Sequence, residues 1–354
     1  MLTIHNPQHH LHQGRHEMFR GRLVPCHETA QRLDHVLAEL QRRAMGPLSI
    51  PADDTAGLDA ALARIHAPRY LHFIEHAWDE WVALDPINAE QDALPSVWPA
   101  PGMRFDVLPD NFAARMGLFS FDAGTPLTAG SWTAARAGAA CALTAAREVS
   151  SGVVRSAFAL SRPPGHHAGT DFFGGYCFLN NAALAAQALR DGGAARVAVL
   201  DVDYHHGNGT QAIFYERSDV LTVSIHGDPR TEYPFFLGHA DERGAGAGTG
   251  FNLNLPLPRG TDFIRWHAAL HSGLAAIQSF GADALVVALG VDTFEGDPIS
   301  GFTLRSADYL RIGADIAAVG LPTVFVFEGG YAVAEVGINT VNVLEGFNRP
   351  LPSR

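Results

Sequence analysis

The sequence predicts a single α/β domain with a central, mostly parallel β-sheet and helices on both faces. Two observations carry this. Across the C-terminal two-thirds of the 354 residues, short β-branched runs alternate with helical stretches, the pattern of strand–crossover–strand units. The runs are also almost continuously apolar, as suits strands covered on both sides.

The candidate strands are residues 155–160, 196–201, 220–225, 284–290 and 323–328. Helix candidates lie between them. Residues 181–189 are alanine-rich and run into Gly192 and Gly193, a plausible C-terminal stop. Residues 262–280 and 306–319 carry spaced apolar positions. The first 150 residues differ. Segments 31–43 and 56–66 read as helices, whereas about 84–132 is a long stretch rich in Pro, Gly, Asp and Asn with scattered aromatics. Loops of that length are uncommon and usually functional or disordered. No tandem repeat or low-complexity linker interrupts the chain, so the expectation is one domain over 1–354 with an elaborated loop at about 84–132.

Composition narrows the function classes. The formal net charge of -12 argues against nucleic-acid binding and would steer a cationic substrate inward. Cys26, Cys141 and Cys177 are too few and too scattered for a disulfide framework or a cysteine-rich metal site. The apolar runs are strand-sized, well short of the ~20 residues of a membrane span. The N-terminus lacks a signal peptide's basic start and apolar core. A soluble, cytoplasmic protein is expected.

The unusual residues recur at one place in the strand–helix rhythm. Arg162-Pro-Pro-Gly-His-His167, Asp201-Val-Asp-Tyr-His-His-Gly-Asn-Gly209, Asp292 and Glu328-Gly-Gly-Tyr331 each follow a candidate strand. Ligands in open α/β sheets bind outside the carboxyl ends of the strands, so the four clusters should converge. Asp203 and His205, two residues apart, offer a carboxylate and an imidazole on one side. A catalytic zinc needs a third protein ligand and an open position, for which Asp292 is the best candidate. His166 and His167 suit acid–base work. Asp201 would hold its imidazole charged, and Asn208 would orient the other without adding charge. Tyr331, in a Gly-Gly-Tyr turn, could donate to a carbonyl oxygen as negative charge develops.

Together these motifs closely resemble the zinc-dependent deacetylases of the arginase/deacetylase fold, over nearly the whole chain. Phe173-Gly-Gly-Tyr-Cys-Phe-Leu-Asn-Asn181 and Gly290-Val-Asp-Thr-Phe-Glu-Gly-Asp-Pro298 add to the match. Within that family the chain looks most like the bacterial acetylpolyamine amidohydrolases. The segments carrying this are Glu17-Met-Phe-Arg-Gly-Arg-Leu-Val-Pro25, Phe214-Tyr-Glu-Arg217, His226-Gly-Asp-Pro229 and 292–300.

The resemblance implies roles. Asp203, His205 and Asp292 would hold one zinc ion per subunit. His167 would be the general base, His166 with Asp201 its electrostatic partner, and Tyr331 the group that polarises the acetyl carbonyl. The Gly175 carbonyl would accept the substrate amide N–H, with Tyr176, Tyr233 and Ile299 as tunnel walls and Glu17 as an acid for the distal ammonium. Asp201, Asp203, His205, Ser224 and Ile225 would hold a structural potassium or sodium ion. A second monovalent site is implied around Phe214, Arg217 and Val220. The 84–132 insertion would pair two subunits and narrow the entrance, giving a homodimer that removes acetyl groups from acetylputrescine, acetylcadaverine or acetylspermidine.

Three departures bear on specificity. Asp110 and Asp122 lie near, but not on, the positions of the family's other ammonium-binding acids. Ser120 stands where protein deacetylases carry an aspartate, and Tyr233 where the polyamine enzymes have phenylalanine.

Three alternatives compete. A two-manganese ureohydrolase would need carboxylates at positions 207 and 294, which are Gly207 and Phe294. A protein-lysine deacetylase would have an open groove instead of a narrowed entrance. A non-catalytic sensor of acetylated small molecules would have lost a metal ligand, His167 or Tyr331, and none is lost.

Overall fold

The computed structural model describes residues 1–51 and 54–349. Its strands are β1 (Leu2–His5), β2 (His16–Phe19), β3 (Arg22–Pro25), β4 (Leu48–Ser49), β5 (Ser156–Leu160), β6 (Val197–Asp201), β7 (Val220–Gly227), β8 (Asn252–Leu257), β9 (Ala284–Leu289) and β10 (Thr323–Phe327). Its helices are α1 (Gln31–Arg42), α2 (Thr55–Leu62), α3 (Pro68–Leu84), α4 (Phe112–Leu118), α5 (Ser131–Ser150), α6 (Asn181–Asp191), α7 (Asn208–Phe214), α8 (Phe263–Phe280), α9 (Asp308–Ala318) and α10 (Val333–Asn348).

Among the described residues, eight strands form one sheet in the order β4-β1-β5-β10-β9-β6-β7-β8, and every pairing in it is parallel. The predicted strand runs all lie in it. Alternate residues of one strand feed two cores, as the period of two requires. Val197, Val199, Val286, Ala288, Val324 and Val326 pack with residues of α2, α3, α5 and α6 on one face. Ala198, Leu200, Leu285, Val287, Phe325 and Phe327 pack with α1, α8, α9 and α10 on the other. Helices on both faces force each strand to be apolar at consecutive positions, which is why the runs showed no alternation.

Three sheet strands were not read from sequence. β1 and β4 span four and two residues, too short to carry a pattern. β8 reads Asn-Leu-Asn-Leu-Pro-Leu; the buried Asn252 and Asn254 side chains both donate to Gln211 Oε1, so polar residues face inward there. The β2–β3 hairpin is antiparallel and separate from the sheet.

The 84–132 segment is more structured than a loop. It holds a 3-10 turn at Pro86–Glu90 and helix α4, and its Ala93 pairs with Leu127. Phe112, Met116, Phe119 and Leu127 are buried in the core beside α3. Other residues face outward: Leu84, Ile87, Val97, Met103, Phe105 and Val107 are half or more exposed. No helix among the described residues is long and apolar enough to cross a membrane.

Candidate active site

All strands of the sheet end on the same side, and the polar clusters that follow β5, β6, β9 and β10 meet there. His167, Gly175, Tyr176, His205, Asn208, Tyr233, Ile299 and Tyr331 line one cavity of about 710 Å³, together with Glu17, Phe121, Asp122 and Phe235. Of the predicted catalytic positions, His167, Asn208 and Tyr331 meet here with the wall positions and Glu17, whereas His166 and Asp201 do not line the cavity.

Asp203 and His205 leave the end of β6, and Asp292 leaves the end of β9, its neighbour in the sheet. One ligand atom from each lies within 4.8 Å of the other two. Backbone donors aim the carboxylates: Gly329 and His205 N–H groups donate to Asp203 at 2.8 Å each, and the Tyr204 N–H donates to Asp292 at 2.7 Å. A Cβ at Gly290 would stand 2.0 Å from Asp203 Oδ2, so only glycine lets β9 end this close.

The donor set fits a divalent cation. Asp203 and Asp292 are fully buried like charges, and burial, then the Asp203 carboxylate, pushes Asp292 up to about 7. Two buried carboxylates are costly side by side without a compensating charge. A ring nitrogen with two carboxylates suits zinc or another borderline divalent ion.

The adjacent histidines have unlike partners. His166 Nδ1 lies 2.9 Å from Asp201 Oδ2. Burial alone would lower its pKa, but Asp201 and then Asp203 outweigh it and raise it to about 10. His167 Nδ1 lies 2.6 Å from the neutral Asn208 Oδ1. Burial, then the charges of His166 and His205, hold it well below the ordinary imidazole value. The surroundings thus favour the cationic form of one ring and the neutral form of the other, whose Nδ1 is occupied by Asn208.

Tyr331 is nearly buried, and burial raises its phenol well above the ordinary value, so it stays a hydrogen-bond donor. Its turn is tied down from two sides. The Tyr331 N–H donates to Asp297 at 2.7 Å. Arg32 donates to the carbonyls of Gly330, at 2.6 Å, and Glu328, while its guanidinium packs 4.7 Å from the Tyr331 ring. Arg32 also pairs with Glu28, which binds Arg162 through both oxygens at 2.8 and 2.9 Å. This buried Arg–Glu–Arg bridge links α1 to the loops after β5 and β10. The sequence offered no signal for Glu28 or Arg32, because a charged side chain becomes informative only once it is seen to be buried.

The cavity wall is equally constrained. Gly175 and Tyr176 both have left-handed φ, 55° and 66°. A Cβ on Gly175 would meet the His167 ring at 2.2 Å. Asp122 Oδ2 accepts the Gly175 N–H at 2.6 Å and the Tyr233 hydroxyl at 2.5 Å, and the Tyr176 N–H donates to Thr125 at 2.9 Å. Of Asp110 and Asp122, Asp122 is therefore the one at the cavity wall. Ser120 instead accepts from the Trp98 indole N–H, and Asp110 does not line the cavity. Tyr233 stands edge-on to His167, ring centroids 5.2 Å apart. Glu17 and Tyr176 prove to be bonded to each other: the Tyr176 hydroxyl donates to Glu17 at 2.9 Å, and His27 Nδ1 lies 2.8 Å from the same carboxylate oxygen.

Behind the metal-ligand loop, Asp201 and Ser224 are register partners on β6 and β7. They line a small cavity of about 10 Å³ with Thr222, Gln211, Asn252 and Asn254, room for one water-sized particle. Ile225 follows Ser224 in β7. Val199, His206 and Val223 also line it, whereas Asp203, His205 and Ile225 of the predicted monovalent-ion set do not.

Comparison with known proteins agrees with this architecture. Residues 26–347 match the histone deacetylase domain. The chain is 53% identical over 347 residues to acetylpolyamine amidohydrolase 2 of Pseudomonas aeruginosa, covering 98% of each chain. It is 45% identical to the acetylpolyamine amidohydrolase of Mycoplana ramosa, covering 98% of this chain and 99% of that one. The crystal structure of acetylpolyamine aminohydrolase from Burkholderia pseudomallei superposes with a TM-score of 0.91 at 39% identity, covering 98% of both chains.

Proposed function

The chain belongs to the histone deacetylase family, and from that premise we propose that it is a zinc-dependent acetylpolyamine deacetylase. Its fold is the arginase/deacetylase fold, and it is a hydrolase of amide bonds. The observation that carries the deacetylase reading is the cluster of Asp203, His205 and Asp292, whose His205 lines the same cavity as His167 and Tyr331. The names of the relatives support acetylated polyamines as the substrate class.

Asp203, His205 and Asp292 would hold the zinc ion, which when bound polarises the amide carbonyl and lowers the pKa of a bound water toward ~7. His167 Nε2 takes the proton of the attacking water and returns it to the departing amine nitrogen, and Asn208 holds the ring in that tautomer. The cationic His166, backed by Asp201, keeps His167 from being protonated beforehand. Tyr331 donates to the acetyl oxygen as negative charge develops there. The Gly175 carbonyl accepts the amide N–H, and Tyr176 and Tyr233 flank the aliphatic chain. Glu17 and Asp122 place negative charge on the cavity wall, where the distal ammonium would lie.

The exposed apolar residues of the 84–108 stretch support a homodimer built on that segment, since burying them against a second copy would remove apolar surface from water. The pocket of Asp201 and Ser224 supports a structural potassium or sodium ion. The deciding experiment compares acetylputrescine, acetylcadaverine, acetylspermidine and an acetyl-lysine peptide on one zinc-loaded preparation. The expected result is higher kcat/KM for the small acetylated amines, and a preference for the peptide would replace this substrate class with protein lysines.

A further inference from the structure

We propose that His267, His271 and Asp315 form a second metal site, outside the active site, that takes one borderline divalent transition ion such as zinc, nickel or copper and clips α8 to α9. His267 and His271 are four residues apart on α8 and therefore project from one face of the helix. Asp315 comes from the neighbouring α9. One ligand atom from each residue lies within 4.8 Å of the other two.

The distances favour coordination. The two Nε2 atoms stand 3.2 Å apart. Two nitrogen ligands each about 2.0–2.1 Å from a tetrahedral zinc are roughly 3.3 Å apart, so the imidazoles already have the required edge. Asp315 Oδ2 is 2.5 Å from His267 Nε2 and 3.9 Å from His271 Nε2. Seating an ion requires that this carboxylate withdraw from one ring and approach the other.

Hydrogen bonding accounts for the arrangement less well. An imidazole nitrogen carries either one hydrogen or one lone pair. If His267 Nε2 donates to Asp315, its one hydrogen can reach a His271 Nε2 lone pair only as a shared, three-centre bond. If it accepts from His271, it has no hydrogen for the carboxylate. The two contacts at that nitrogen compete as hydrogen bonds, whereas one cation between the three atoms satisfies them together.

The site is partly pre-oriented. The Phe263 ring packs on His267, centroids 4.9 Å apart at 32°, and the Arg311 guanidinium lies 5.3 Å from the centre of the Phe263 ring. The His271 side chain is 56% exposed and that of Asp315 28%, which leaves water access for a fourth ligand. Three protein ligands with one open position is a coordination that zinc accepts. None of the three residues lines the active-site cavity, so metal binding here is separable from turnover.

The test uses the full-length enzyme carrying one zinc per chain, titrated separately with zinc, nickel and copper ions by calorimetry and by metal analysis after dialysis. The expected result is one further equivalent with a Kd of ~10 µM or tighter, accompanied by a rise in Tm. His271→Ala and Asp315→Asn should each weaken that equivalent at least tenfold while amidohydrolase turnover is retained. Turnover also reports that the variants are folded. The proposal is overturned if the wild type takes no further equivalent below ~1 mM, or if the equivalent persists unchanged in the His267→Ala, His271→Ala double variant.

Discussion

The Tyr233 hydroxyl donates to Asp122 Oδ2 across 2.5 Å, and the same oxygen accepts the Gly175 N–H at 2.6 Å. One carboxylate thus fixes an aromatic wall of the cavity and the N–H side of Gly175, the residue whose carbonyl, in the peptide held by the Tyr176 N–H on Thr125, would receive the substrate amide. Asp122→Ala should leave the Gly175 N–H without its charged acceptor and loosen that carbonyl. A lost hydrogen bond to a charged group is worth about 1.5–3 kcal/mol, or roughly 10–100-fold in kcat/KM. Tyr233→Phe leaves the Gly175 bond in place and should alter KM and chain-length preference more than kcat. Steady-state kinetics on a series of acetylated diamines would separate the two, and equal effects from both variants would refute the positioning role of Asp122.

Removing a metal ligand should act on the metal before the fold. Asp203→Ala and His205→Ala should each fail to retain zinc through dialysis, with turnover lost in parallel. Metal analysis of the purified variants checks this; full zinc stoichiometry in both would rule out the ligand assignment.

Tyr331→Phe removes only a hydroxyl from a ring held by Arg32 and by the turn above Asp297. The variant should fold and keep its metal, yet lose about 10²–10³ in kcat, the range for deleting one donor to a developing oxyanion. Near-normal kcat would contradict the carbonyl-polarising role.

The Arg32–Glu28–Arg162 bridge predicts a pH-dependent stability difference. Burial alone would raise the Glu28 pKa, but Arg162 and then Arg32 outweigh it and hold it below the ordinary carboxylate value. A carboxyl lowered on folding contributes stability above its unfolded pKa of ~4.3 and loses it as pH falls through the folded value. Glu28→Gln should therefore cost about 3–5 kcal/mol at neutral pH, as expected when a buried ion pair is broken. The gap to wild type should narrow below about pH 4. Urea unfolding at several pH values measures the gap, and a constant gap would show that Glu28 acts through packing alone.

If the outward apolar residues of the 84–108 stretch form a subunit interface, Phe105→Asp combined with Leu108→Asp should convert a dimer to a monomer in sedimentation equilibrium. A wild-type chain that is monomeric at micromolar concentration would remove this part of the proposal.

The sequence by itself determined five of the eight described sheet strands and the four polar clusters at their ends, which carry Asp203, His205, Asp292, His166, His167 and Tyr331. It could do so because apolar runs flanked by helices dictate a buried parallel sheet, and that sheet's carboxyl ends place whatever follows them side by side. Only the tertiary structure decided which side chain of the 84–132 segment's polar set stands at the cavity wall beside Glu17. Asp122, Ser120 and Asp110 share one irregular segment, where no periodicity says which side chain turns inward. Only the structure, too, showed that Glu17 is already bonded to Tyr176 and that Glu28 joins Arg32 to Arg162. Those relationships span up to 159 residues of chain, and they exist because folding removes the charges from water and leaves each other as their partners. The short strands β1 and β4 were likewise beyond the sequence, since two to four residues gain their stability from neighbours in the sheet and carry almost no pattern of their own.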